Sequence, residues 1–303
     1  MELEFYTLDV FTDKRFAGNP LAVVLNADAL SSEQMQVVAR EFNLSETVFV
    51  LKPENPAHSA RIRIFTPAAE MPFAGHPTVG TAALLAELRA EEVGGSSSAL
   101  VALEEEIGLV RVGVRMQADG ATFAEFDAPK IPEEIGSVAS RDDLAAGLGL
   151  MPGEIGFANH RPTCFSSGPR FTFVPVSSID AVGRAAPNLV HWNNAFGGEG
   201  GGAAFLYCAE TVHTSCDYHA RMFAPTLGVP EDPATGSAAV GFAGVIAKFD
   251  DPPNGMHKKQ LEQGLEMGRP SFIALSVEMR GGELSNVRIG GSSIRVSHGQ
   301  LDI

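Results

Sequence analysis

Only three cysteines, Cys164, Cys208 and Cys216, are spread through 303 residues, and none forms a CxxC pair. An odd number without pairing supports neither a disulfide framework nor a zinc knuckle. Positive charge is also scarce: 22 Lys and Arg face 37 Asp and Glu, for a net charge of −15. A chain this acidic repels phosphate backbones and anionic lipid, so nucleic acid and membrane surfaces are poor partners. A small anion stays open as a ligand, because nearby backbone dipoles outweigh a distant field. Long apolar runs are missing, since Ala238 to Ala247 covers about half of the ~20 residues a spanning helix needs. The opening MELEFYTLDV carries acids where a signal peptide needs a basic flank, so the chain reads as cytoplasmic. No GxGxxG opens a βαβ unit, and neither GxxxxGK[ST] nor GxSxG occurs, which disfavours nucleotide cofactors and a serine-hydrolase mechanism. His58, His160, His191, His213, His219, His257 and His298 have no ligand spacing, so they read as surface or core residues and no metal is expected.

What is present is an ordinary globular composition, 45% hydrophobic with 32 Gly and 19 Pro, in a chain long enough for two lobes. Strand signals dominate. Tyr6, Leu8 and Val10 share one face of residues 4–10; Arg61-Ile62-Arg63-Ile64 alternates; and Val110, Val112, Val114 and Met116 line one side of 109–116. The last forty residues read as short strands with turns at Gly281-Gly282 and Gly290-Gly291. Helices are few. One starts after Ser31, where Ser31 and Gln34 have capping-box spacing and Met35, Val38, Ala39 and Phe42 form a stripe. Two more, rich in small residues and suited to burial in a narrow space, are predicted near 78–90 and 236–248. Residues 91–99 and the Gly-rich 197–202 read as connectors.

The chain echoes itself. Phe65-Thr66-Pro67 with Pro72 returns as Phe223-Ala224-Pro225 with Pro230, at an offset of 158. Gly75-His76-Pro77-Thr78-Val79-Gly80 is matched by Gly236-Ser237-Ala238-Ala239-Val240-Gly241, at an offset of 161. Two copies mean a duplication rather than a solenoid.

Each copy places a Gly and a polar residue, His76 or Ser237, at a helix start, where unpaired N–H groups and the helix dipole favour a carboxylate. The same residues read equally well as ordinary caps. Asp232, in Glu231-Asp232-Pro233-Ala234-Thr235-Gly236-Ser237, is either a cap or a group that orients a substrate amine or the His76 imidazole. Glu46 enters an apolar strand. A carboxyl group in such surroundings has a raised pKa suited to taking and returning a proton, although a solvated strand-end Glu fits the same pattern.

Taken together, Asp9-Val10-Phe11, Phe16-Ala17-Gly18-Asn19-Pro20, Leu44-Ser45-Glu46-Thr47, Pro72-Phe73-Ala74-Gly75-His76-Pro77 and the Glu231–Ser237 segment resemble the PhzF-like phenazine-biosynthesis family. The resemblance implies an α+β, diaminopimelate-epimerase-like fold of two pseudo-symmetric lobes, each a curved barrel-like sheet around a central helix. The lobes are expected at 1–118 with about 285–303, and at 119–284, with the active site in the cleft between them and a homodimer as the assembly. It also implies a cofactor-independent isomerase resembling trans-2,3-dihydro-3-hydroxyanthranilate isomerase, acting on a small carboxylate. Glu46 would be the general acid/base, assisted by His76, Asp232 and Ser237, with Asn19, Ser45, Gly75, Thr235 and Gly236 binding substrate. Related racemases carry a cysteine at each helix start. Ala74 and Thr235 stand there in this chain, which removes the two-thiol mechanism. An epimerase or dehydratase of a related carboxylate, or a silent carboxylate-binding protein, are the alternatives. The far end of the substrate would be gripped by loops such as Ser167-Gly168-Pro169-Arg170. Arg170 or Arg221 would reach a second anion, or else be surface or ion-paired residues.

Overall fold

The computed structural model describes residues 1–93, 97–117, 120–198 and 201–303. The expected lobe boundary at 118/119 and the centres of the 91–99 and 197–202 connectors lie outside these residues. The chain divides into two compact units, Met1–Pro129 with Gly290–Ile303, and Lys130–Ile289.

In the first unit, β1 (Glu2–Val10) pairs antiparallel with β2 (Asn19–Val24). Helix α1 (Ser32–Phe42) leads into β3 (Glu46–Leu51), which runs parallel to β2. The Ser31/Gln34 capping box forms in both directions, and caps of this kind are worth about 1 kcal/mol. The expected Met35, Val38, Ala39 and Phe42 stripe packs with Leu3, Val24, Phe49 and Phe65. Next, β4 (Ala60–Phe65) pairs antiparallel with β3 and with the short β5 (Glu70–Met71). The central helix α2 (Gly75–Val93) follows, then β6 (Ser98–Glu105) parallel to β4, and finally the antiparallel β7 (Gly108–Met116) and β8 (Thr122–Asp127).

The second unit opens with β9 (Glu133–Glu134), α3 (Arg141–Leu148), β10 (Thr163–Ser166) and β11 (Arg170–Pro175). Helices α4 (Ile179–Arg184) and α5 (Leu189–Phe196) precede β12 (Ala204–Cys208), β13 (Tyr218–Ala224) and β14 (Val229–Asp232). Helix α6 (Gly236–Phe249), β15 (Gly255–Gln263), β16 (Ser271–Arg280) and β17 (Glu283–Asp302) complete the chain. Helices α3, α4 and α5 were not expected. They are one or two turns long, too short for a clear periodicity, yet each has a side-chain N-cap: Ser140 on Asp143, Ser178 on Ala181 and Asn188 on Val190. Their apolar faces bury Leu144, Leu148, Val182, Trp192 and Phe196 against Val174, Val176 and Leu206.

The two units repeat one pairing scheme. β2–β3 is parallel, β3–β4 and β4–β5 are antiparallel, and β4–β6 is parallel. The same holds for β11–β12, β12–β13, β13–β14 and β13–β15. In both, the central helix lies between the short strand and the parallel return, with the sheet curved around it. In the first unit β17 pairs with β1 and β8, so β1, β2, β3, β4, β6, β7, β8 and β17 form a closed eight-stranded barrel around α2. In the second, α6 packs on β9, β10, β11 and β16 and is buried on nearly every side, as its all-round apolar sequence requires. Glycines let each helix come close to its strands. A Cβ on Gly80 would fall 2.7 Å from Val10 and Leu21, and one on Gly241 would fall 2.7 Å from Phe173.

Two sequence expectations are corrected. Gly290-Gly291 is not a turn: β17 runs unbroken from Glu283 to Asp302. A Cβ at Gly290 would lie 2.8 Å from the Ala124 carbonyl and 2.7 Å from Glu125, so the glycine serves close packing against β8. The second concerns the echo. Ile64 pairs with Met71 and Met222 with Asp232, so the offset grows from 158 to 161 before the short strand, and Pro233 rather than Pro230 corresponds to Pro72. A bulge in β13 and the 3₁₀ turn Pro225–Leu227 absorb the difference.

Candidate active site

Helix α1 ends at Asn43, a left-handed C-cap with φ 51°, and three residues later β3 begins at Glu46. Thr47, Val48, Phe49 and Val50 are buried, so Glu46 stands where the apolar strand meets its end, with its side chain 16% exposed. Ser45 is half-buried beside it. Asn19, fully buried, opens β2 opposite Val10.

His76 is the second residue of α2. Pro77 is tolerated after it because a first-turn N–H has no intrahelical partner to lose. Its side chain is 6% exposed, and its Nε2 lies 3.2 Å from Oε2 of Glu46, close but not aligned as a hydrogen bond. Burial pushes the imidazole down to about 3, so the ring is neutral near pH 7 and the contact is not an ion pair. The first unit therefore brings together two of the expected residues, a carboxyl group and a neutral imidazole.

In the second unit, Asp232 ends β14 and Thr235 is the N-cap of α6. The Thr235 side chain does not cap the helix; its Oγ1 donates to Asp232 Oδ2 at 2.6 Å. Gly236 and Ser237 are the first two residues of α6, as Gly75 and His76 are of α2. Neither His76 nor Ser237 is thus an N-cap, and the capping alternative for them falls away.

Glu231 has a separate task. Arg221 grips it through two bonds of 2.8 and 2.9 Å while donating to the Val182 and Ala185 carbonyls. Arg221 is thus an ion-paired residue, while Arg170 is exposed at the start of β11. Gln263 was not anticipated. Its Nε2 donates to the Asp232 carbonyl at 2.8 Å and to Thr235 Oγ1 at 3.1 Å, and its Oε1 accepts the Thr235 N–H at 3.2 Å. A signal for it was present: Leu261-Glu262-Gln263 echoes Leu103-Glu104-Glu105 at the offset of 158.

Among the described residues, no group of three or more His, Cys, Asp or Glu is placed to hold a metal ion, and no helix is long and apolar enough to cross a membrane. Cys164 and Cys208 are buried on β10 and β12, and Cys216 precedes β13, so none stands at a helix start.

The phenazine biosynthesis-like protein family matches residues 8–299. An uncharacterized isomerase of Mesorhizobium japonicum is 50% identical over the whole of both chains. The trans-2,3-dihydro-3-hydroxyanthranilate isomerase of Pseudomonas chlororaphis is 35% identical over 98% of each. The crystal structure of a Bacillus anthracis phenazine biosynthesis protein of the PhzF family superposes with a TM-score of 0.89 at 27% identity, covering all of both chains. The fold is the diaminopimelate-epimerase-like one expected from the sequence motifs. The chain belongs to the phenazine biosynthesis-like, or PhzF, family, and is an isomerase or epimerase of that family.

Proposed function

We propose that this protein is a cofactor-independent isomerase in which Glu46 takes a proton from one carbon of a small carboxylate-bearing substrate and returns it to another. The observation that carries the reading is the contact between Glu46 and a buried, neutral His76. A cationic neighbour would hold Glu46 ionised and make it a weak base. A neutral imidazole does not. With its proton on Nε2 it donates to a carboxylate; with its proton on Nδ1 it accepts from a carboxylic acid. His76 therefore suits both states through which a proton-carrying Glu46 must pass. The 3.2 Å separation is of the kind that tightens when a substrate is bound.

We assign the substrate carboxylate to the backbone N–H groups and hydroxyl at Gly236 and Ser237, and its amine to Asp232. Asn19, Ser45, Gly75 and Thr235 are assigned to substrate contact. A one-base proton shuttle is preferred over two-base epimerisation because Thr235, at the second helix start, commits its hydroxyl hydrogen to Asp232 and is no base. The relatives named for trans-2,3-dihydro-3-hydroxyanthranilate make that compound the first substrate to try.

The test is NMR of that compound in deuterated buffer with wild-type protein and Glu46→Gln. Conversion by the wild type, reduced by roughly 10²–10⁴-fold in the variant, supports the reading. Equal turnover by both overturns Glu46 as the base. Tight binding without proton exchange identifies a silent binding protein instead.

A further inference from the structure

We propose that Glu105 and Gln263 are matched positioning residues, each holding the start of its unit's central helix through a threonine hydroxyl, and that Glu105 does so as a neutral carboxylic acid. Their equivalence follows from strand register. Ala60 and Arg61 lie beside Leu103 and Glu104, and Tyr218 and His219 lie beside Leu261 and Glu262. The residue before each supports the match, since both accept two backbone N–H groups at equivalent positions. Glu104 accepts the Glu54 and Asn55 N–H groups at 2.7 and 2.9 Å and contacts His58 Nδ1 at 2.6 Å. Glu262 accepts the Val212 and His213 N–H groups at 2.6 and 2.9 Å and contacts His213 Nδ1 at 2.9 Å.

The next residue in each strand turns inward and is buried, Glu105 at 8% and Gln263 at 0% exposure. Gln263 donates an amide hydrogen to Thr235 Oγ1, which passes its own hydrogen to Asp232. In the first unit Glu105 Oε1 lies 2.9 Å from Thr78 Oγ1, and Thr78 Oγ1 lies 2.8 Å from the Ala74 carbonyl. Thr78 has one hydroxyl hydrogen. If it goes to Ala74, the hydrogen between Glu105 and Thr78 must come from Glu105. The chain then runs from the Glu105 acid to the Thr78 hydroxyl to the Ala74 carbonyl, directly before Gly75 and His76.

An ionised Glu105 would take the Thr78 hydrogen instead, leaving Ala74 to the Thr78 N–H at 3.3 Å. Burial opposes that arrangement. Among the described residues Glu105 Oε2 has no hydrogen-bond partner, and an uncompensated buried carboxylate is costly. Glu105 borders a cavity of about 560 Å³ whose other charged groups are Glu54, His58, Arg61, Arg63, Glu70, Glu104 and Glu106. His58 pairs with Glu104, Arg61 with Glu54 and Arg63 with Glu70. Burial is then the main influence on Glu105, opposed only by Thr78, and its carboxyl is pushed up to about 8.

The experiment compares unfolding of wild-type protein, Glu105→Gln and Glu105→Leu from pH 5 to 9. An acid raised above its unfolded pKa contributes fully at low pH and loses that contribution as pH rises toward 8. Wild type and Glu105→Gln should match at pH 5. By pH 9 the wild type should unfold more readily than Glu105→Gln by roughly tenfold or more in equilibrium constant, while Glu105→Leu is weaker throughout. Gln263→Glu should import the same alkaline loss into the second unit. A wild-type-to-Glu105→Gln difference that stays flat from pH 5 to 9, or a Glu105→Gln chain less stable than wild type at pH 5, overturns the proposal. Its catalytic consequence rests on the function proposed above: kcat of the wild type should fall on the alkaline side where that of Glu105→Gln does not. A wild type without turnover would sink that function, and the unfolding series would still decide this inference.

Discussion

The guanidinium of Arg221 holds the carboxylate of Glu231 through two hydrogen bonds, one residue before Asp232. The first unit carries the same device: Arg63 grips Glu70 through two bonds of 2.6 Å, and each arginine lies over a phenylalanine two residues on, Phe65 or Phe223. The two pairs differ in burial. Arg221 is 8% exposed and also serves the backbone of α4, whereas the Arg63 side chain is 26% exposed. Arg221→Met should therefore cost about 3 kcal/mol, by stranding Glu231 and the α4 carbonyls. Arg63→Met should cost no more than about 1 kcal/mol. Urea unfolding of the two variants checks the contrast, and equal losses would contradict it.

His76 should make the protein acid-sensitive. Its folded pKa is depressed to about 3 from 6.5, so the folded chain binds fewer protons than the unfolded one between those values. Stability from this site is complete above pH about 6.5 and is lost as pH falls toward 3. His76→Asn removes the titrating ring, so the gap between variant and wild type should shift in the variant's favour as pH is lowered. Thermal unfolding at pH 7, 5.5 and 4.5 measures it; parallel curves would show that the ring is not buried neutral.

The thiols should be dispensable. Burial pushes Cys208 up to about 12 and Cys216 up to about 11, so little of either is thiolate at neutral pH. Iodoacetamide at pH 7 should leave turnover unchanged, and Cys216→Ser should keep kcat within about twofold. Stoichiometric inactivation by one alkylation would put a thiol back into the mechanism.

Close helix–strand packing gives a further test. Gly80→Ala gains about 1 kcal/mol of helix propensity but forces a methyl to within 2.7 Å of Val10 and Leu21. Overpacking costs about 1–3 kcal/mol, so the variant should be less stable on balance. Gly241→Ala meets the stiffer ring of Phe173 and should lose more. A rise in Tm for either would mean the strands give way easily.

Those two helices were legible because small residues in a helical pattern have few uses other than burial. β1, β4 and β7 were legible because one buried face imposes alternation. Glu46 and His76 were legible as family motifs, and their contact needed only the first unit to fold. The short helices α3 to α5 were not, since their identity lies in caps rather than periodicity. Gly290-Gly291 misled because a glycine chosen for close approach looks the same in sequence as one chosen for a turn. Glu105 and Gln263 were marked only by the echo of Leu103-Glu104-Glu105 in Leu261-Glu262-Gln263, because a buried polar residue at a strand end has no local pattern; strand register is what gives that echo its meaning.

β1 finds one of its two neighbours in residues 293–302, nearly the whole chain away. During synthesis the first eight strands can pair in order, yet the barrel around α2 stays open along β1 and β8 until β17 leaves the ribosome. Loop closure of that length makes the final step slow relative to local pairing, and open strand edges invite association with other chains meanwhile. Expression conditions that slow aggregation, rather than those that raise stability, should therefore govern the yield of soluble protein.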